Sequence, residues 1–397
     1  MPASITRSHM DFDVAVIGSG LVGASFARAA RGLSVALVGA EPHAAPPAAR
    51  PDAFDARIYA ISPGSAAFLR DLKVWPLLPR ERLTPVHAMR IYGDDGRSLL
   101  EFDAYRTGVA ELAWIVEDRL LHEALWRALE ARDHLEHFAP AECEALEVSE
   151  RAASLRLRDG RSLNARLVVG ADGAHSFVRR AAGIAAREAA YGQTAVVANF
   201  ACERPHGNVA YQWFGGGPVL ALLPLPGNHV SMVWSRSDAD AARLLGLDPA
   251  ALSREVAEAS RHALGALSLV TPPRGFALRR LDTPRLVAPR IALIGDAAHV
   301  VHPLAGQGAN LGFQDARELA DVLVRREPGR DPGDLRLLRR YARARAEPVL
   351  AMGATVHGLY RLFDSRSELL ARSRNAGLNL TNRLPLLKTM LARQAIG

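Results

Sequence analysis

The sequence predicts an α/β protein: a Rossmann-like dinucleotide-binding domain with an inserted antiparallel β-sheet domain and C-terminal helices. Three observations carry this prediction. A strand, a glycine-rich turn, a helix and a second strand follow one another over residues 13–38. Between about 190 and 235 the pattern changes to short strand segments separated by Gly-Pro turns. From Leu335 onward it is helical.

Residues 13–17 (DVAVI) are a short, largely apolar run ending in glycines, which reads as a strand. A helical pattern over 21–31 and a strand over 34–38 complete a βαβ unit. Residues 40–53, rich in Pro and Ala, read as a loop, and 63–72 and 118–132 as helices. Asp159-Gly160 marks a hairpin within 155–163, and 167–169 is a buried strand ending at Gly170. Strands at 195–200, 209–214, 219–223 and 230–234 form the antiparallel sheet, followed by helix over 238–268. A strand at 291–294 leads into a glycine-rich loop and helix, and the C-terminal helices are expected to break near Pro348 and Pro385. These assignments give 11–75, 105–183 and 275–330 to the dinucleotide-binding domain and 76–104 with 184–274 to the inserted domain. Residues 331–397 form a basic helical region, and 1–10 a leader expected to be disordered.

The 397 residues carry 49 basic and 42 acidic side chains, a formal charge of +7. Lys73 and Lys388 are the only lysines, so the basic residues are almost all arginine, a compositional bias rather than a phosphate-binding device. Residues 331–397 hold 12 basic and 5 acidic residues, leaving 37 of each sign in 1–330. A neutral body with a basic end argues against a nucleic-acid partner. Cys143 and Cys202 give neither metal spacing nor a disulfide framework, which fits a reducing compartment. No run reaches the roughly 20 apolar residues of a membrane span, so a cytoplasmic protein, at most peripheral to the membrane, is expected.

Gly18-Ser19-Gly20-Leu21-Val22-Gly23 fits GxGxxG, and it follows a strand and opens a helix, the context the motif requires. Gly18 permits the tight turn, Gly20 the approach of a pyrophosphate, and Gly23 close helix–strand packing. The helix N-terminus adds free N–H groups and positive dipole. The acid expected to end the second strand and hold a ribose is absent: Gly39 stands there, and Glu41 is the nearest acid.

Two later segments decide which dinucleotide is bound. Residues 168–176 (VVGADGAHS) and 294–299 (IGDAAH) each deliver a carboxylate, Asp172 or Asp296, from a strand to a glycine-flanked turn. Alone, either reads equally well as a helix cap. Together, in order after GxGxxG, they suit hydrogen bonds to a ribityl chain, which points to FAD.

The three motifs resemble those of the class A flavin-dependent aromatic hydroxylases, with the fold of p-hydroxybenzoate hydroxylase. Residues 302–315 (HPLAGQGANLGFQD) resemble throughout the signature of the ubiquinone-biosynthesis hydroxylases, and 55–62 (DARIYAIS) is similar to that family's second characteristic segment. The ending, 387–397, is also family-like, so the resemblance spans about 13–397. It implies that Gly18, Gly20 and Gly23 hold the FAD pyrophosphate and that Arg57 lies over it or near the incoming NAD(P)H. It makes Asp296 the ribityl-binding acid and sets Asp172 and Gly173 near both FAD and NAD(P)H. Pro303 to Asn310 would run along the flavin ring, with the amides of Gly306, Gln307 and Gly308 near its carbonyl oxygens. The following helix, 312–323, would point its positive end at the ring.

The implied activity is hydroxylation of the aromatic ring of a prenylated phenol with NAD(P)H and O2, through a flavin hydroperoxide. The alternatives are a hydroxylase of a small soluble aromatic and a non-catalytic flavoprotein. No catalytic side chain is assigned: His302 and Pro303 stand near the ring, but His299 and His302 read better as satisfying backbone groups. A surface salt bridge is the plain alternative for Arg57. No metal site is expected. Trp213, Phe214, Leu222 and Pro224 are the candidate substrate wall, although core packing explains them equally well. No lone Arg or Ser in this sheet stands out as a carboxylate anchor, which favours a prenylated phenol over a benzoate. Leu384, Leu387, Met390 and Leu391 share a helical face in the basic C-terminal region, which either packs on the FAD domain or meets an anionic membrane or a ubiquinone-biosynthesis complex.

Overall fold

The computed structural model describes residues 11–41, 53–95, 97–215, 217–301, 307–364 and 382. The expected leader, most of the Ala/Pro loop, 302–306 and the amphipathic end at 384–391 lie outside the described residues.

The first sheet is built around the strand Phe12–Ile17. It pairs in parallel with Val35–Val38 on one side and with Ser162–Gly170 on the other. Leu135–Phe138 extends the sheet beyond the second strand, and Ile291–Leu293 beyond Ser162–Gly170, both again in parallel. Val14 and Val16 pack into one apolar cluster, Ala15 and Ile17 into another on the opposite face. Coverage of both faces is why Val14–Ile17 is uninterruptedly apolar. The order of strands reverses at Phe12–Ile17, and the carboxyl ends beside such a switch point form the crevice in which open α/β sheets bind ligands.

Helix Leu21–Ala29 lies against Asp118–Glu130 and Gln307–Val324. The helix starts follow from local chemistry. Ser62 caps Pro63–Asp71 and Asp248 caps Pro249–Ala259, each accepting from an amide three residues on, with proline at the first helical position.

The second sheet has the central order Arg274–Asp282, Arg187–Cys202, His229–Ser237, Val219–Leu225, Val209–Phe214, with Ala88–Tyr92 and Leu99–Asp103 beyond. Its pairings are antiparallel except that of Val209–Phe214 with Ala88–Tyr92. Arg274–Asp282 belongs to this sheet rather than to the dinucleotide-binding domain, which moves the expected boundary at 274 to the far end of that strand. The helix expected over 238–268 is two helices, Asp238–Leu245 and Pro249–Ala259, followed by the strand Leu267–Leu269. Both helices cover one face of the second sheet. A three-stranded sheet, Ile58–Ile61, Ala113–Glu117 and Thr84–Val86, joins the two larger ones.

The expected break near Pro348 does not occur: Leu335–Asp364 runs through it as one 30-residue helix. The apolar stripe that carries this helix against the body, including Leu337, Leu338 and Tyr341, is buried before the proline is reached. No helix among the described residues is long and apolar enough to cross a membrane.

Candidate cofactor and substrate site

The glycine turn shows a division of labour. Gly18 has φ +108°, and a Cβ there would stand 2.2 Å from the Ala171 carbonyl oxygen. A Cβ on Gly23 would lie 1.9 Å from the Gly18 oxygen. Both glycines are required by packing. Gly20 is different: a Cβ there would meet nothing within 4 Å, and the residue caps Leu21–Ala29 with no side chain satisfying the helix amides. Open space against free N–H groups at a positive helix end is what a phosphate needs.

Gly39 explains the missing ribose acid. A Cβ on Gly39 would lie 2.4 Å from Ser19 Oγ, which itself donates to the Ala40 carbonyl at 3.0 Å. No side chain fits there, so the second strand must end without one. Glu41, two residues on, is exposed.

The turn 294–299 is held from behind by groups that sequence reasoning missed. Asp315, fully buried, accepts from Gly295 N–H at 2.9 Å through Oδ2. The same oxygen lies 2.7 Å from His299 Nε2, and Oδ1 lies 2.7 Å from Arg345 Nε. His299 is thus paired to a carboxylate rather than to the backbone. Burial opposes its charge, but Asp315 outweighs burial and raises the imidazole pKa. Burial would likewise raise Asp315, yet His299, Arg345 and the Gly295 amide together lower it. A signal was available: Leu311, Asp315 and Leu319 fall at helical spacing on a buried face, where a carboxylate needs a partner. Arg345, on another helix, had none.

This clamp leaves Asp296 turned into the cavity. Although open to solvent there, Asp296 sits deep in the protein, and desolvation pushes its carboxyl above the usual range against the charges of His299 and Arg57. Asp172 behaves differently. Its Oδ2 accepts from Phe177 N–H at 2.7 Å and Val178 N–H at 3.1 Å, so it satisfies the first two amides of the helix Phe177–Ala181, whose N-cap is Ser176. Oδ1 is buried with no hydrogen-bond partner among the described residues. Ala171 and Gly173 line the cavity, Asp172 does not. Buried Arg179, also missed, binds the Ala297 carbonyl at 2.9 Å and the Ala174 carbonyl at 2.6 Å, fixing the two acid-bearing turns to each other.

Gly308 lines the cavity, and a Cβ there would meet nothing within 4 Å. Asn310 is engaged elsewhere: Oδ1 accepts from Ser62 N–H at 2.9 Å and Nδ2 donates to the Ala60 carbonyl at 2.8 Å. It locks the segment after Arg57 onto the helix Gln307–Val324. His302, Pro303, Gly306 and the Gln307 side chain lie outside the described residues.

Arg57 lines the cavity, exposed, with its guanidinium carbon 5.4 Å from the Tyr59 ring centroid. Its segment is fixed by Asp55, whose Oδ1 accepts from Arg57 N–H and Oδ2 from Arg119 N–H, both at 3.1 Å. Asp55 N–H donates to buried Glu117 at 2.7 Å, and Glu117 pairs with Arg82 at 2.5 Å. Asn199, from the second sheet, donates to the Asp55 carbonyl at 2.8 Å. Beside Arg57, burial and an Asp118 hydrogen bond hold the Tyr59 hydroxyl well above its usual pKa, despite the opposing Arg57 charge. Burial opposes the charge on Asp118, but His122 and Tyr59 outweigh it and lower that carboxyl.

The cavity, about 510 Å³, continues from these groups to the uncovered face of the second sheet. Its sheet wall is formed by Ala195, Val197, Gln212, Ala221, Leu223, Ser231 and Val233, with Phe276 and Arg279 from the strand Arg274–Asp282. The expected wall of Trp213, Phe214, Leu222 and Pro224 is therefore corrected. Trp213 and Leu222 point the opposite way and pack under the two helices, and buried Pro224 shares the parity of Leu222. Phe214, buried too, has the parity of Gln212 but is not part of the lining. Alternation identifies two faces of a strand; the bulkiest apolar residues belonged to the helix-covered one. Gln212 and two serines, Ser231 and Ser235, stand on the cavity face, where the sequence had suggested no anchor.

The residues present fit FAD: open backbone at Gly20 and Gly308, a positive helix end, and Asp296, all bordering the same cavity. Among the described residues no cluster of His, Cys, Asp or Glu is arranged to hold a metal. The model of the FAD binding domain family matches residues 11–353. The chain is 34% identical over 391 residues to the 3-demethoxyubiquinol 3-hydroxylase of Escherichia coli, covering 97% of this chain and 98% of that one. It is 36% identical over 388 residues to the ubiquinone hydroxylase UbiL of Rhodospirillum rubrum, covering 97% and 89%. The crystal structure of Pseudomonas aeruginosa PqsL in complex with 2-aminobenzoylacetate superposes with a TM-score of 0.77 at 26% identity, over 92% of this chain and 99% of that one. Phosphate cradle, cavity carboxylate and near full-length likeness agree: the chain belongs to the FAD binding domain family, among its ubiquinone-biosynthesis hydroxylases.

Proposed function

We propose that this protein is an FAD-dependent monooxygenase that hydroxylates the aromatic ring of a prenylated phenol in ubiquinone biosynthesis, with NAD(P)H as electron donor and O2 as co-substrate. The observation that carries the reading is the continuity of the cavity. One space joins the glycine cradle and Asp296 to an apolar wall of small strand side chains, large enough for a ring. Bound FAD supplies the redox chemistry and the activation of O2.

The chain's own residues bind, orient and exclude water. Gly20, the N-terminus of Leu21–Ala29 and Arg57 offer amides and charge to the pyrophosphate, and Asp296 accepts from the ribityl hydroxyls. Glu41 is the nearest acid for the adenosine ribose. The open backbone at Gly308 and the positive end of Gln307–Val324 would favour negative charge on the ring. Val197, Ala221, Leu223 and Val233 keep the substrate side dry. The basic region 331–397, with seven more basic than acidic residues, provides contact with an anionic membrane surface or a ubiquinone-biosynthesis complex.

Quinone profiling of a strain lacking the gene tests the reading directly. Accumulation of one under-hydroxylated prenylated intermediate is the expected result; an unchanged ubiquinone pool would refute it. Purified FAD-loaded protein should consume NAD(P)H and O2 when the prenylated phenol is added and yield a product one oxygen heavier.

A further inference from the structure

On the cavity face of the second sheet, Ser231 and Asn199 are direct cross-strand partners, with Leu223 next in the same row. Directly opposed residues of antiparallel strands project from the same face. Ser231 is 1% and Asn199 0% exposed. The amide nitrogen of Asn199 is used by the Asp55 carbonyl. Its Oδ1 and the Ser231 Oγ are both buried without a hydrogen-bond partner among the described residues.

Other polar groups on the same face are matched: four residues along the strand, Ser235 Oγ accepts from Val219 N–H at 3.1 Å and also reaches the Val219 carbonyl. Thr271 Oγ1 accepts from Asn199 N–H at 2.9 Å. Two buried oxygens left unmatched on directly opposed residues, on the face that borders the cavity, mark a place completed from outside the chain. Ser231 lines the cavity, so the completing group arrives there.

Resting on the reading of the cavity as an aromatic-ring site, we propose that Ser231 and Asn199 form the anchor for a hydroxyl on the substrate ring. Asn199 Oδ1 only accepts, whereas Ser231 Oγ–H donates. Their complement is a group that donates once and accepts once, as a phenolic hydroxyl does. A carboxylate, with acceptors alone, would oppose Asn199 Oδ1. The anchor makes phenol recognition a property of the sheet.

The test compares 2-prenylphenol with prenylbenzene, which lacks the hydroxyl, as ligands of the FAD-loaded protein, read by perturbation of flavin absorbance. Wild-type protein should bind the phenol about tenfold more tightly. Ser231→Ala should reduce that ratio to about threefold or less while retaining FAD, and Ser231→Thr, which keeps a hydroxyl, should preserve it. An unchanged ratio in Ser231→Ala, or equal affinities in wild type, overturns the anchor and leaves the functional reading standing. Loss of FAD from Ser231→Ala also overturns it, by placing the hydroxyl on the cofactor. Failure of both ligands to bind wild type overturns the functional reading and the anchor together.

Discussion

Asp315 Oδ2 lies 2.7 Å from His299 Nε2 with both side chains shut away from solvent, and Arg345 closes on the other carboxylate oxygen. One helix thereby grips the turn that presents Asp296, and a second helix grips the first. Removing one member of a buried charge set strands the rest. Asp315→Asn should therefore destabilise the protein by about 3–5 kcal/mol in thermal or urea unfolding. Equal stability would show that the set is not acting as a clamp.

The same pair makes a pH prediction. His299 has a raised pKa in the fold, so its contribution is complete below the unfolded value of roughly 6.5 and is lost as pH rises through the folded value. Asp315 has a lowered pKa, so its contribution is present above the unfolded carboxylate value and disappears as pH falls through the folded one. Stability attributable to the pair is greatest between those limits, in mildly acidic solution. The Tm difference between wild type and Asp315→Asn should peak there and shrink as pH rises above neutrality.

Two glycine substitutions should separate packing from binding. Gly39→Asp, which restores the acid of the usual dinucleotide pattern, drives a Cβ to 2.4 Å from Ser19 Oγ. It should lower apoprotein stability by more than about 2 kcal/mol. Gly20→Ala meets nothing within 4 Å in the apoprotein, so its Tm should hold while FAD affinity falls about tenfold or more. Calorimetry of apoprotein and FAD titration read the two effects independently.

Strand parity assigns different failures to neighbouring residues. Trp213→Ala opens the helix-covered core and should cost about 3–5 kcal/mol of stability, with KM for the phenol little changed in the folded fraction. Ala221→Leu, on the cavity face, should raise KM for the phenol or abolish turnover with Tm nearly unchanged. The opposite pattern would put the substrate under the helices.

Arg57→Ala should weaken FAD binding or raise KM for NAD(P)H about tenfold, since its exposed guanidinium lines the cavity and acts electrostatically on Asp296. Kinetics with each cofactor varied in turn distinguish the two. A wild-type response to both would reduce Arg57 to its stacking on Tyr59.

What the sequence revealed follows from how tightly physics restricts each position. Gly18 and Gly23 were legible because a Cβ there collides with backbone, and no other residue type satisfies that. Asp296 was legible because its turn repeats a strand–glycine–acid pattern. Asp172 and Asp296 could not be told apart from local sequence, since a helix cap and a cavity carboxylate use the same turn; only the amides of Phe177 and Val178 decide it. The substrate wall was misplaced because alternation is symmetric between faces and bulk misled. Arg345 and Arg179 stayed hidden because their partners come from distant segments, and sequence alone gives no register between them.

The single amide of Asn199 has a further consequence. It reaches from the substrate sheet to the Asp55 carbonyl, in the strip of chain that Glu117 and Arg82 also hold. The two halves of the molecule are therefore not independent cassettes. A chimera that imports a different sheet to change specificity inherits a foreign residue at this seam, and with it a displaced Arg57 strip, unless the crossover keeps Asn199 and residues 53–57 from one parent.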